Sequence, residues 1–152
     1  MLTPASFKGH PIHAILVPLP IGLWIFALVC DVLARAVGGP EWPTVAFYAI
    51  GGGVLGALLA AIPGLIDLIS LPPGPTRRTG IAHMSINLAA VAVFAINFGM
   101  RWGTLDHSGP VLLTALGVAL IGVSGWLGGE MVYKGGVGVA PAARETGRPG
   151  AA

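Results

Sequence analysis

The chain has 152 residues, of which 55% are hydrophobic and only 9% charged. A soluble domain carries about 25% charged side chains, so the composition excludes an ordinary water-soluble globule and points to one small integral membrane domain. The formal charge of +2 arises from Lys and Arg spread around apolar runs. It makes no basic patch, which excludes a nucleic-acid partner and leaves the lipid bilayer as the first partner.

Of the 24 Gly and 13 Pro, the glycines sit largely inside apolar runs, where membrane helices tolerate them. Cys30 is the single cysteine, which rules out an internal disulfide. Val29 before it is not the small residue that lipoprotein cleavage wants, and the apolar run from Ile12 is too long for a signal segment.

In chain order, four runs reach the roughly 20 residues needed to cross a hydrocarbon core. They extend from about Ile12 to Ala36, Thr44 to Leu71, Gly80 to Met100 and Ser108 to Gly129. Gly38-Gly39-Pro40, Pro72-Pro73-Gly74-Pro75 and the stretch from Gly103 to Pro110 read as turns between them. The expected fold is all-α, an integral membrane four-helix up-and-down bundle over 1–133, followed by a flexible tail over 134–152 that lacks any apolar period. No internal repeat of useful specificity stands out, although the spans are of similar length. An even number of spans puts both termini on one side. That side holds Lys8, Arg77, Arg78, Lys134, Arg144 and Arg148, against Arg35 and Arg101 on the other. The bias predicts the cell (inner) membrane with both termini cytoplasmic.

Depth is the informative property of the polar residues. His10 and His13 open the first span, Asp67 lies near the end of the second, His83 and Asn87 open the third, and Glu130 follows the fourth. Up-and-down threading brings all six to the cytoplasmic half, so the bundle reads as polar on one side only. Helical phase then asks which of them face inward. One face of the third span carries His83, Asn87, Ala90, Phe94, Asn97 and Arg101. Matching stripes are His10, His13, Val17, Pro20, Trp24, Ala27 and Asp31 on the first span, and Gly53, Gly56, Ala60, Pro63 and Asp67 on the second. The fourth span presents Thr114, Gly117, Ile121, Ser124 and Gly128, with Glu130 well round from that face.

The macrodipole disfavours imidazolium in the first turns of helices, where His13 and His83 stand, and a carboxylate near a helix end, where Asp67 stands. Neutral imidazoles are good metal ligands, and an ionised Asp67 needs a partner such as a His N–H, Arg77, Arg78 or a metal. Each residue also has a structural reading. Gly9-His10-Pro11 looks like a helix start, so His10 caps it. Asp31 and Arg35, four apart, form an interfacial ion pair of little worth. His107 is a solvated loop residue, and the four tryptophans fit interfacial belts or core packing.

The segments GHPIHAILVPLPIGLW, PGLIDL, IAHMSIN and GWLGGEMVYKGGVGV resemble a family of small four-span bacterial membrane proteins of unknown function, members of which also occur fused to Rieske iron-sulfur domains. The resemblance covers residues 9–139, and its first and last motifs are the specific ones. Carried over by position, it matches His10, His13, Pro18, Pro20, Gly22 and Asp31, then Gly64 and Asp67, then His83, and finally Gly128, Gly129, Val132, Tyr133, Gly136 and Val137. Some relatives carry His where this chain has Glu130 or Gly135, which removes those ligands here. The Rieske association implies that some relatives work beside electron carriers.

Three functions remain open. One is a haem b or related transition-metal redox site, with His13 and His83 as axial ligands and Arg77 and Arg78 meeting the propionates. Another is a metal or proton transport module built on His10, His13, Asp67 and His83. The third is a non-catalytic anchor or subunit of an electron-transfer complex, whose polar layer fixes helix register. Under the first or third reading a Rieske-type or other redox protein is the expected partner, and the sequence is compatible with a homo-oligomer. No independent catalytic activity is expected, since the chain has no nucleophile elbow, phosphate loop or HExxH.

Overall fold

Proline decides how the first span is built. The computed structural model describes residues 3–139. The chain enters through a two-residue antiparallel pair, β1 (Ser6–Phe7) and β2 (His10–Pro11), whose register leaves Lys8 and Gly9 as the turn. Both turn residues have positive φ, 49° and 80°, the requirement of a type I′ hairpin turn. The first apolar run is then split into α1 (Ile12–Leu16) and α2 (Pro18–Ala36). Pro18 has no N–H to give Ala14, and its ring crowds that carbonyl, so the ladder breaks at Val17. Pro11 precedes α1 in extended conformation and His10 lies in β2. His10 therefore caps nothing; its Nδ1–H donates to the Lys8 carbonyl at 3.1 Å.

The remaining spans are α3 (Glu41–Ser70), α4 (Pro75–Trp102) and α5 (Val111–Tyr133). Four spans, with α1 and α2 sharing the first, are long and apolar enough to cross a membrane. Against the apolar stretches seen in the sequence, α3 starts three residues earlier, α4 runs past both ends, and α5 starts at Val111 and continues four residues beyond Gly129. Pro75 starts α4 because a proline at the first helical position loses no hydrogen bond there, which moves Arg77 and Arg78 from the loop into the first turn. At its far end α5 closes with Val137 N–H on the Met131 carbonyl and Gly136 N–H on the Val132 carbonyl, and Gly136 has φ 63°. This is a Schellman closure. It turns the chain back until Gly138 lies against Pro11. Residues 140–152, the rest of the segment expected to be a mobile tail, lie outside the described residues.

The four long helices form a ring in which α2 packs on α3 and α5, and α4 on α3 and α5, most closely within the hairpins α2–α3 and α4–α5. The stripes read from helical phase form the interior except where the chain enters, at which end His10 is exposed and His13, Val17, His83, Asn87 and Gly128 are half-buried. Trp24, Ala27 and Asp31 are buried with Gly53, Gly56, Ala60, Pro63 and Asp67, Ala90, Phe94, Asn97 and Arg101, and Thr114, Gly117, Ile121 and Ser124. Leu55, Leu59, Ile62, Leu88, Ile96 and Leu112 point outward, as an apolar solvent permits.

Candidate functional site

Small residues on α3 and α5 let large residues of α1, α2 and α4 meet across the ring. A Cβ added at Gly53 would collide with the Trp24 indole, and one at Gly117 would lie 2.5 Å from the Phe94 ring. The two rings stack face to face at the centre of the bundle, 4.1 Å apart and 10° from parallel. Nearer the end where the described termini lie, His13 and His83 meet edge to face, with ring centroids 6.3 Å apart and planes at 85°. A Cβ at Gly64 would come 2.7 Å from His13 Nδ1, and one at Gly128 would come 3.3 Å from His83 Cε1. His13 Nδ1–H donates to the Ala60 carbonyl and His83 Nδ1–H to the Ser124 carbonyl, each at 2.8 Å. A carbonyl can only accept, so both imidazoles carry their proton on Nδ1 and leave the Nε2 lone pair for another group. Asn87 Nδ2 donates to His83 Nε2 at 3.0 Å.

These parallels expose a repeat. His13, Trp24 and Asp31 stand eleven and then seven residues apart, and so do His83, Phe94 and Arg101. Their partners Ile50, Gly53, Ala60 and Gly64 have the spacing of Thr114, Gly117, Ser124 and Gly128. The two hairpins are thus like halves packed about a pseudo-twofold axis along the bundle, and the His pair straddles that axis. The spacing is present in the sequence, but the chemistry at equivalent positions differs, Trp against Phe and Asp against Arg, so identity alone hides it.

The third pair of the repeat lies at the opposite end and overturns the view of a bundle polar on one side. Arg101 is 0% exposed and Asp31 2%. Arg101 Nη2 donates to Asp31 Oδ2 at 2.6 Å and Oδ1 at 2.8 Å, Nε to Asn97 Oδ1 at 2.9 Å, and Nη1 to the His107 carbonyl at 3.4 Å. Thr114 Oγ1 donates to Asp31 Oδ2 at 2.6 Å and accepts from Asn97 Nδ2 at 2.8 Å. Asp31 is therefore the partner of Arg101 rather than of Arg35, whose Nη1 reaches only the Asp31 carbonyl at 3.1 Å. Sequence spacing favoured the wrong arginine because neighbours on one helix are visible in a sequence and partners seventy residues away are not. His107 is not a free loop side chain either. It stacks on Phe47 at 4.3 Å, and its Nδ1–H donates to the Arg101 carbonyl at 3.3 Å. Beside it the Ser108 amide, donating to Asp106, holds that exposed carboxyl below the usual carboxylate range.

A family model described as "Predicted membrane protein (DUF2231)" matches residues 9–141. The chain belongs to this family. No curated protein and no solved structure matches it. For this DUF2231 chain the geometry separates the six residues expected in one polar layer. His13, His83 and Asn87 come together. Asp67 bonds neither histidine; its Oδ1 accepts the Ala5 amide at 3.0 Å, which ties the entering segment over the end of α3. His10 is exposed on β2, and Glu130 pairs with Lys134 at 2.7 Å. Arg77 and Arg78 occupy the first turn of α4, one turn and more before His83. Among the described residues no three His, Cys, Asp or Glu side chains form a metal-binding group, so His10, His13, Asp67 and His83 do not make one four-ligand centre. Of the candidate ligands, His13 and His83 are the two whose rings meet.

Proposed function

We propose that this multi-pass membrane protein is a redox-associated module in which His13 and His83 hold a haem b in the seam between its two hairpins. The observation that supports this reading is the imidazole pair itself. Their rings meet edge to face with centroids 6.3 Å apart, and a neutral imidazole protonated on Nδ1 keeps an Nε2 lone pair that would serve a metal. Both Nδ1–H groups are committed to backbone carbonyls, the arrangement that orients a ligating histidine and raises its basicity.

A two-histidine site suits a macrocycle better than a bare transition metal, because the macrocycle supplies four donors itself. Its two faces are alike, which matches a site on a pseudo-twofold axis between equivalent hairpins. The seam is also the looser of the two kinds of helix contact. In the first turn of α4, Arg77 and Arg78 supply cations for the propionates. The basic residues gathered at that end support a cytoplasmic orientation in the inner membrane. When bound, the haem would supply one-electron chemistry to a Rieske-type or other redox partner. The chain's own work is to fix two imidazoles, keep their tautomers and exclude lipid.

One observation favours the anchor reading. Asn87 already occupies His83 Nε2, so the pair also closes as a hydrogen-bonded core. Transport gains no support, since the Trp24–Phe94 stack with Ala27 and Ala90 separates the polar ends. Expression under haem-replete conditions, purification and a visible spectrum test the proposal. A Soret band that disappears in His13→Ala upholds it. A colourless protein in which His13→Ala and His83→Ala only lower the melting temperature limits the chain to an anchor.

A further inference from the structure

Because Asp31 is taken by Arg101, Arg35 is left without the acid that sequence spacing gave it. Its Nη1 and Nη2 reach only main-chain oxygens, the Asp31 carbonyl at 3.1 Å and the Gly109 carbonyl at 3.4 Å. Two of the five N–H groups of a guanidinium are so used, which leaves three. Among the described residues no carboxylate forms an ion pair with it, Glu41 and Asp106 at the same end included. Arg35 lines a cleft of about 290 Å³ between α2, the start of α3 at Pro43 and the loop at Ser108 and Gly109. The buried pair lies directly beneath. Asp31 belongs to the wall of the cleft, and Gly109 lies so close over Arg101 that an added Cβ would stand 2.6 Å from its Nε. Two arginines and one aspartate therefore meet here, and one positive charge is uncompensated.

We infer that this cleft binds a phosphate group and that Arg35 is the residue that holds it. Nothing in this depends on the histidine pair, which lies at the other end of the bundle. Arg35 is the last residue but one of the first span, which places it at headgroup depth, and Trp102, 70% exposed at the end of α4, marks the same layer. An unmatched cation at the edge of the hydrocarbon draws in an anion, and basic pockets between membrane helices take phospholipid headgroups. A guanidinium suits a phosphate because it meets two of its oxygens side by side. The Asp31 carboxylate does not repel the ligand, since both of its oxygens are engaged by Arg101 and Thr114. Ala34 and Pro43 give the cleft an apolar side for the glycerol of a lipid. The site exists in one half only, for the position seventy residues after Arg35 is Leu105. A phospholipid headgroup and free phosphate share this chemistry.

The test uses the full-length protein in a phosphate-free maltoside detergent, with phosphatidylglycerol, phosphatidylcholine and inorganic phosphate as separate probes. Native mass spectrometry reads the bound species, and the unfolding midpoint reads the stabilisation that binding confers. Phosphatidylglycerol should be retained and should raise the midpoint. Arg35→Gln should weaken that binding about tenfold, the effect of losing a charge-assisted hydrogen bond, and Arg35→Lys should keep only part of it, because an ammonium is a point charge. Ala34→Leu, which fills the cleft and leaves Arg35 in place, should weaken it too. Lys8→Gln, at the opposite end, should bind as the wild type does. Arg35-dependent retention of phosphatidylglycerol with no response to inorganic phosphate assigns the site to a lipid, and an Arg35-dependent midpoint shift with inorganic phosphate assigns it to the free anion. Unchanged affinity in both Arg35→Gln and Ala34→Leu overturns the site. So does an equal loss in Lys8→Gln, or equal retention of phosphatidylcholine, whose own ammonium cancels the phosphate charge.

Discussion

Removing Asp31 should be among the most damaging single substitutions in this protein. In Asp31→Ala the Arg101 guanidinium, 0% exposed, keeps only the neutral oxygens of Asn97, Thr114 and the His107 carbonyl. Breaking one partner out of a buried ion pair costs about 3–5 kcal/mol, and a guanidinium cannot shed its proton to escape. Arg101→Met should cost less, because the carboxyl left behind can take up a proton. The double variant Asp31→Ala/Arg101→Met leaves no buried charge, and replacing a whole pair by apolar groups is close to neutral. A coupling energy of about 3 kcal/mol or more is therefore expected between the two sites. Unfolding in mixed micelles, followed by tryptophan fluorescence, measures all four corners of the cycle. Additive costs, or an Asp31→Ala penalty below about 1 kcal/mol, would refute the claim that this pair is desolvated and mutually dependent.

The glycines offer a second set of outcomes. Gly53→Ala and Gly117→Ala force a methyl into the Trp24–Phe94 stack and should each cost about 1–3 kcal/mol, whereas Gly122→Ala, which meets nothing within 4 Å, should stay within about 0.5 kcal/mol. Unfolding midpoints of the three variants compare them directly. Asp67→Ala removes the acceptor of the Ala5 amide, a charge-assisted bond worth about 1.5–3 kcal/mol. Its signature is faster hydrogen exchange at Ala5 with the exchange of α4 unchanged. Reversing the charges, Asp31→Arg with Arg101→Asp, should recover only part of the stability lost in either single reversal. The halves repeat in spacing, but Asn97 and Thr114 surround one position while Ala27 and Ile50 surround the other.

Much of the architecture was legible in the residues. Span number follows from the length of the apolar runs, because a bilayer sets one length scale for every helix. The inward stripes follow from 100° per residue, because lipid leaves a polar or small residue only one favourable side. That reasoning placed Trp24, Asp31, Gly53, Phe94, Asn97, Arg101 and Thr114 in the interior, and it put His13 and His83 at one depth. Helix ends were less legible. Pro75 and the Schellman turn at Gly136 extend helices through residues whose composition reads as loop.

Partnership was decided only by the tertiary structure. Phase tells which way a side chain points but not which helix it meets, since that depends on the order of helices round the ring and on their relative height. Asp31 could have found Arg35 on its own helix, and meets Arg101 across the axis because Gly109 and Thr114 leave room there. Asp67 was expected to serve a histidine or a loop arginine and instead takes a backbone amide, a group that no side-chain pattern reveals. The contact between His13 and His83 rests on two distant carbonyls and two glycines, neighbours that exist only once α3 and α5 have docked.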